Sequence, residues 1–171
     1  MRSRLLLVPA AIVASTAAPT VSAKVYMDVA QAKALMFPGA SFTEHSLSLN
    51  QAQFNAIIND SNVEVYSRQI KAWQSNTGGW FILDQVRGKD DWITYAIGID
   101  AKGTVQQIEV LECLDNYDGI TSQRWRAQFY GKRHGSNFDD IQSISGATLS
   151  SEQLTAGVKR VLSTLALALE P

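Results

Sequence analysis

Cysteine occurs once, at Cys113, and histidine twice, at His45 and His134, in a chain of 171 residues. One cysteine forbids an intrachain disulfide and any thiolate metal cluster, and two histidines supply a zinc or haem site poorly. Any redox chemistry must therefore come from a cofactor held without cysteine. No apolar run approaches the roughly 20 residues that a membrane-spanning helix needs. Lys and Arg total 15 against 16 Asp and Glu, so no basic excess suits a nucleic-acid partner, and none is expected.

The first 23 residues read as a targeting segment. "MRSR" is basic, "LLLVPAAIVA" is apolar and "STAAPTVSA" is small and polar, the layout of a secretory signal peptide. Val21 and Ala23 place small residues at −3 and −1, which predicts cleavage after Ala23 and an exported, periplasmic or extracytoplasmic product. An uncleaved membrane anchor is the weaker reading, because the apolar run is too short to span a bilayer. Loss of these residues, Arg2 and Arg4 among them, leaves 148 residues with 13 basic and 16 acidic side chains. That is the size of one domain, residues 24–171.

Hydrophobic spacing predicts short helices over 28–37 and 50–60, with Asp28 and Asn50 as caps, and a strand over 41–49. Four β-rich runs follow, at 63–73, 79–88, 92–100 and 104–113. The last two are joined by Ala101-Lys102-Gly103 as a hairpin. Their inward residues are Tyr95, Ile97, Ile99, Val105, Ile108, Val110 and Cys113, with a bulge at Gln106-Gln107. A short helix capped by Thr121 is expected over 120–132, ending at Gly131. Leu154, Val158, Val161, Leu162, Leu165 and Leu169 form one stripe on a final helix, which the Ser150–Gln153 spacing marks as starting with a capping box at Ser150. The pattern predicts a single α+β domain, an antiparallel β-sheet with flanking helices.

"SISGATLSSEQ", residues 143–153, leads into that final helix. Gly146 permits a turn with positive φ and close approach to a ligand, and Ala147 adds no bulk. Thr148 presents a hydroxyl beside unpaired helix N–H groups, where an anionic phosphate is stabilised. An ordinary small-residue turn explains the same residues.

"ISGATLSS" resembles the Ser-Gly-Ala-Thr signature of FMN-binding domains. These occur in subunits of sodium-pumping NADH:quinone oxidoreductases, in Rnf electron-transport complexes and in small exported flavoproteins. "YAIGIDAKGTVQQIEVLE" (95–112) is similar to the family's hairpin, and "RWRAQFYGK" (124–132) to its aromatic-Gln-Phe-x-Gly-Lys stretch. The likeness covers 92–171 best. It implies FMN as cofactor, carried by Thr148 through a phosphoester that a flavin transferase installs. It further implies Ser145, Gly146 and Ala147 at the attachment turn, Glu112 bordering the flavin, and Tyr117 as a stacking ring. Lys132, Arg124 and Arg126 flank the aromatic stretch, where they would meet the phosphate or the pyrimidine edge of the ring; a solvated helix face explains the same residues.

Two positions depart from the pattern. Gln142 stands where the signature has aspartate, three before Ser145, and Glu112 is followed by Cys-Leu-Asp rather than Thr-Pro-Gly. The resemblance implies an electron carrier rather than an enzyme with its own substrate, served by a redox partner protein that includes membrane-bound candidates. Two rivals stay open: a noncovalent flavin binder, and a cofactor-free exported interaction module.

Overall fold

The computed structural model describes residues 24–89, 91–113 and 118–169. The expected signal peptide and Tyr117 lie outside them. Helix α1, Val29–Met36, starts where Asp28 accepts a hydrogen bond from Gln31 N (2.7 Å) and the Gln31 side chain accepts one from Asp28 N (2.9 Å). Asn50 and Gln53 repeat this reciprocal capping box at α2, Gln51–Ser61. Each box satisfies two helix-end donors that would otherwise lack partners.

Strands β1 (Lys24–Val25), β2 (Phe42–Glu44), β3 (Leu47–Ser48), β4 (Gln69–Ser75), β5 (Trp80–Arg87), β6 (Trp92–Ile99) and β7 (Val105–Cys113) form one antiparallel sheet. Its order is β1-β7-β6-β5-β4-β2, with β3 also on β4. The expected strand over 41–49 is thus two short pieces, and the one over 63–73 begins only at Gln69. Residues 63–68 are irregular, and Arg160 fastens them to the body by donating to the Glu64 carbonyl (2.8 Å).

The β6–β7 hairpin turns at 101–103, where Asp100 Oδ1 accepts from Lys102 N and Thr104 N. Ile99 pairs with Val105 but Gly98 with Gln107, so Gln106 is the extra residue of a bulge, as expected. A second bulge, not anticipated, falls at Leu111: Tyr95 pairs with Val110 and Thr94 with Glu112. It turns Leu111 into the apolar cluster under α1 and Cys113 into the opposite core.

The sheet is covered on both faces. Ala32, Met36 and Phe37 pack on Phe81, Ala96 and Leu111 on one side. On the other lie α3 (Gln123–Arg126) and α4 (Thr148–Thr164), whose Trp125, Leu154, Val158, Val161 and Leu162 bury Ile82, Val86, Tyr95, Ile97 and Ile108. The outcome is the expected α+β domain.

The outer edge of β7 is closed by three separate devices, which blunts its tendency to pair with another chain. Tyr26 N donates to Leu111 O beside β1 (2.8 Å), and Val105 exchanges backbone bonds with Gly131 and Lys132. Between them Arg126 donates to the Ile108 carbonyl and pairs with Glu109.

Candidate functional site

The expected helix over 120–132 is broken into a 3-10 turn (Asp118–Thr121), the single α-turn α3 and a second 3-10 turn (Ala127–Phe129). Ser122 rather than Thr121 occupies the α3 N-cap position, without a side-chain bond. This compact coil makes one wall of a groove of about 460 Å³, and residues 142–144 make the other. Trp125 and Gln128 join the walls. Trp125 Nε1 donates to Gln142 O (2.7 Å), and Gln142 N donates to Gln128 Oε1 (2.9 Å). Both backbone polar groups of Gln142 are thereby held, one from α3 and one from the 3-10 turn that follows it. At the groove floor Gly119 meets Ile144 so closely that a Cβ would lie 2.8 Å from its Cγ2.

The groove leads directly to the small-residue turn. Ser145 and Gly146 are exposed, Gly146 has φ +85°, and a side chain there would meet open space. Its glycine is required by backbone conformation, not by crowding. Ala147 is buried and is the N-cap of α4. Thr148 is the first residue of α4 and is exposed. Its hydroxyl makes only a long bond to Ile144 O (3.3 Å).

The Ser150–Gln153 capping box does not form, because the N-cap of α4 is Ala147, three residues earlier, and Ser150 turns into the interior (1% exposed). Ser151 does the tying instead: its hydroxyl accepts from Ile144 N (3.1 Å) and donates to Thr148 O (2.8 Å). Ile144 thus borders the groove and touches both ends of the turn.

The remaining expected residues separate. Lys132 donates to Asp140 (2.6 and 2.7 Å) and to Asn137 O (2.7 Å), and holds the Asp140 carboxyl below its ordinary pKa. It braces the loop ahead of the groove. Glu112 lines a different cleft, also of about 460 Å³, with Tyr66, Trp92 and Arg160. The bulge at Leu111 turned it there. Of the four tryptophans, Trp125 alone lines the groove; Trp80 is core, Trp73 stacks under Lys33 and Trp92 lies against Tyr66.

A groove of this size, open to solvent and with a buried aromatic wall, fits the dimensions of a cofactor site. Residues 88–163 match the family model of the FMN-binding domain. That stretch is an FMN-binding domain. FMN is its cofactor. No curated protein matches the chain.

The residues present fit FMN. The turn 145–148 offers an exposed hydroxyl, an unobstructed glycine and the positive end of a 17-residue helix, which together suit a phosphate. Trp125 and uncharged polar side chains line the space beside it. What residue spacing alone did not reveal is the Trp125–Gln142–Gln128 clamp. A tryptophan and a glutamine three apart on a helical turn share a face, and that was the available signal.

Proposed function

We propose that this FMN-binding domain is an exported electron carrier whose FMN is attached through a phosphoester to Thr148. The observation that carries the reading is the exposed Thr148 hydroxyl, set at the α4 N-terminus and joined through Ile144 to the wall of the groove. Attachment forms a bond between Thr148 Oγ1 and phosphorus as the leaving group of an activated flavin phosphate departs and the hydroxyl proton is lost. The α4 N-terminus stabilises the phosphate charge, Gly146 leaves it room, and Trp125 and Ile144 bound the space for the ring. The cofactor supplies the redox chemistry. A basic, then apolar, then small-residue leader supports export, and a tether suits a compartment where a dissociated ligand is lost. A flavin transferase and a redox partner protein complete this reading.

Intact mass of the protein exported with a flavin transferase tests it. The chain should gain one FMN less one water, and Thr148→Val should abolish the gain. Only the long bond to Ile144 is lost in that variant, so its stability should change by less than about 1 kcal/mol. Thr148→Ser keeps a hydroxyl and should retain part of the labelling. An unchanged adduct on Thr148→Val would refute the assignment.

One observation favours a second reading, noncovalent FMN. Gln142, on the groove wall, brings no carboxylate to the place where the attachment signature carries aspartate. Flavin fluorescence that leaves the chain on a denaturing gel would decide for it.

A further inference from the structure

Three cations lie on residues 124–132, and the fold engages two of them elsewhere. Arg126 is buried, pairs with Glu109 and donates to Ile108 O at the β7 edge. Lys132 is committed to Asp140 and Asn137 O. Arg124 is exposed, lines the groove, and has no hydrogen bond or ion pair with any described residue. The other residues lining the groove, Ser122, Trp125, Gln128, Gln142 and Ser143 among them, are uncharged. One unshared positive charge therefore faces the space beside the attachment turn.

We propose that Arg124 is the residue that biases the flavin ring in this groove toward its reduced, anionic form. The inference rests on FMN occupying this groove, whether tethered or not. Two candidates for the anion exist, the phosphate and the ring. The phosphate has its own site at Thr148 and the α4 N-terminus, and Thr148 is not among the residues lining the groove. Arg124 stands on α3, on the side where the ring would lie. Uptake of two electrons and one proton leaves the flavin ring with one negative charge; a second proton cancels it. A guanidinium facing that edge stabilises the charge, whereas it has no such partner in the neutral oxidised ring.

The test compares flavin midpoint potentials of wild type, Arg124→Gln and Arg124→Lys, with an electrode or dithionite as the electron source. Arg124→Gln should lower the reduced-to-oxidised preference about tenfold, which for a two-electron couple is a fall of about 30 mV. Arg124→Lys should recover most of it. A parallel arm measures FMN and riboflavin affinity of the untethered proteins. Arg124→Gln should weaken both ligands alike or leave both unchanged. An unaltered potential overturns the proposal. So does a loss confined to FMN, which would assign Arg124 to the phosphate. The two readings fail separately: a wild type that carries FMN only noncovalently sinks the Thr148 ester while the potentials still judge Arg124. A wild type that binds no flavin at all sinks both.

Discussion

Adding one methyl group at Gly157 should cost the domain about 1 kcal/mol. Gly157 lies in α4 at its closest approach to the sheet. A Cβ built there falls 2.5 Å from Val86 Cγ1 and 2.7 Å from Tyr95 Oη. Carbon atoms prefer about 3.5–4.0 Å, so something must yield by about 1 Å. Neither neighbour has room, since Val86 is 1% and Tyr95 0% exposed. Tyr95 Oη also donates to Asp84 Oδ2 (2.6 Å), which accepts from Arg160 Nη2 (2.5 Å). Burial, reinforced by the Asp84 charge, raises the Tyr95 pKa well above its ordinary value, so the phenol stays a donor. If α4 lifts, overpacking costs about 1–3 kcal/mol. If Tyr95 rotates instead, a hydrogen bond to a charged group is lost, about 1.5–3 kcal/mol. Alanine repays about 1 kcal/mol in helix propensity. The net loss of about 1 kcal/mol should lower Tm by about 2–4 °C for a chain of this size. Thermal unfolding followed by circular dichroism measures it, and a double-mutant cycle with Val86→Ala should show a coupling above about 0.5 kcal/mol. A Gly157→Ala stabilised by about 1 kcal/mol would mean that propensity alone acts, and that α4 does not sit this close.

Three further outcomes are expected. Arg126→Met leaves Glu109 buried beside an uncapped Ile108 carbonyl and should destabilise by about 3–5 kcal/mol; a urea-denaturation loss below about 1 kcal/mol would show the pair to be dispensable. Asp60 accepts from Ser163 (2.5 Å) and contacts His134 (2.7 Å), and the Ser163 bond leads the causes that lower its pKa. A lowered carboxylate pKa adds stability that is present above the unfolded value of about 3.9 and lost as pH falls through the folded value. The stability gap between wild type and Ser163→Ala should therefore narrow below about pH 4, and a gap constant from about pH 6 to pH 3 would contradict the linkage. Gln142→Asp should speed flavin labelling under limiting transferase while moving stability by no more than about 0.5 kcal/mol, read as fluorescence on denaturing gels; equal rates would show that the acid is dispensable here.

Local chemistry was legible where a side chain acts on its own neighbourhood. The Asp28 and Asn50 caps, the hairpin at 101–103, the bulge at Gln106 and the apolar stripe of α4 could all be read from residue type and spacing. Features set by distant partners could not. Two adjacent serines at 150 and 151 look alike in sequence. Both are buried (1% exposed each), and which hydroxyl ties the turn depends on how α4 meets the sheet; the helix start moved to Thr148 accordingly. Alternation from Val110 would point Glu112 into the core, but the bulge at Leu111 reversed it, as a one-residue slip must. Arg124 and Arg126 are two apart on a helical turn, hence on opposite sides. That spacing predicts different fates for them, yet only the position of the β7 edge tells which is consumed.

The attachment turn draws its order from three directions, and this bears on how the site can work. From the helix side, α4 is clamped on the sheet by Leu154, Val158, Val161 and Leu162 and pinned by Arg160 to Asp84 and the Gln85 carbonyl. Thr148 stands nine residues before Gly157, about 14 Å along the axis at 1.5 Å per residue, so its position follows that of the clamped helix. From the loop side, Lys132 holds Asp140, and Trp125 and Gln128 hold the Gln142 backbone, before Ser151 catches Ile144. From below, α3 is itself locked to the β7 edge through Arg126. A loop fixed at 140, 142 and 144 has little conformational freedom left to lose when a ligand arrives, so less of the binding energy goes into ordering it. The same bracing holds both walls of the groove to one sheet. A ring seated there would keep its distance from Arg124 between oxidation states, which is what a fixed electrostatic bias on the potential requires.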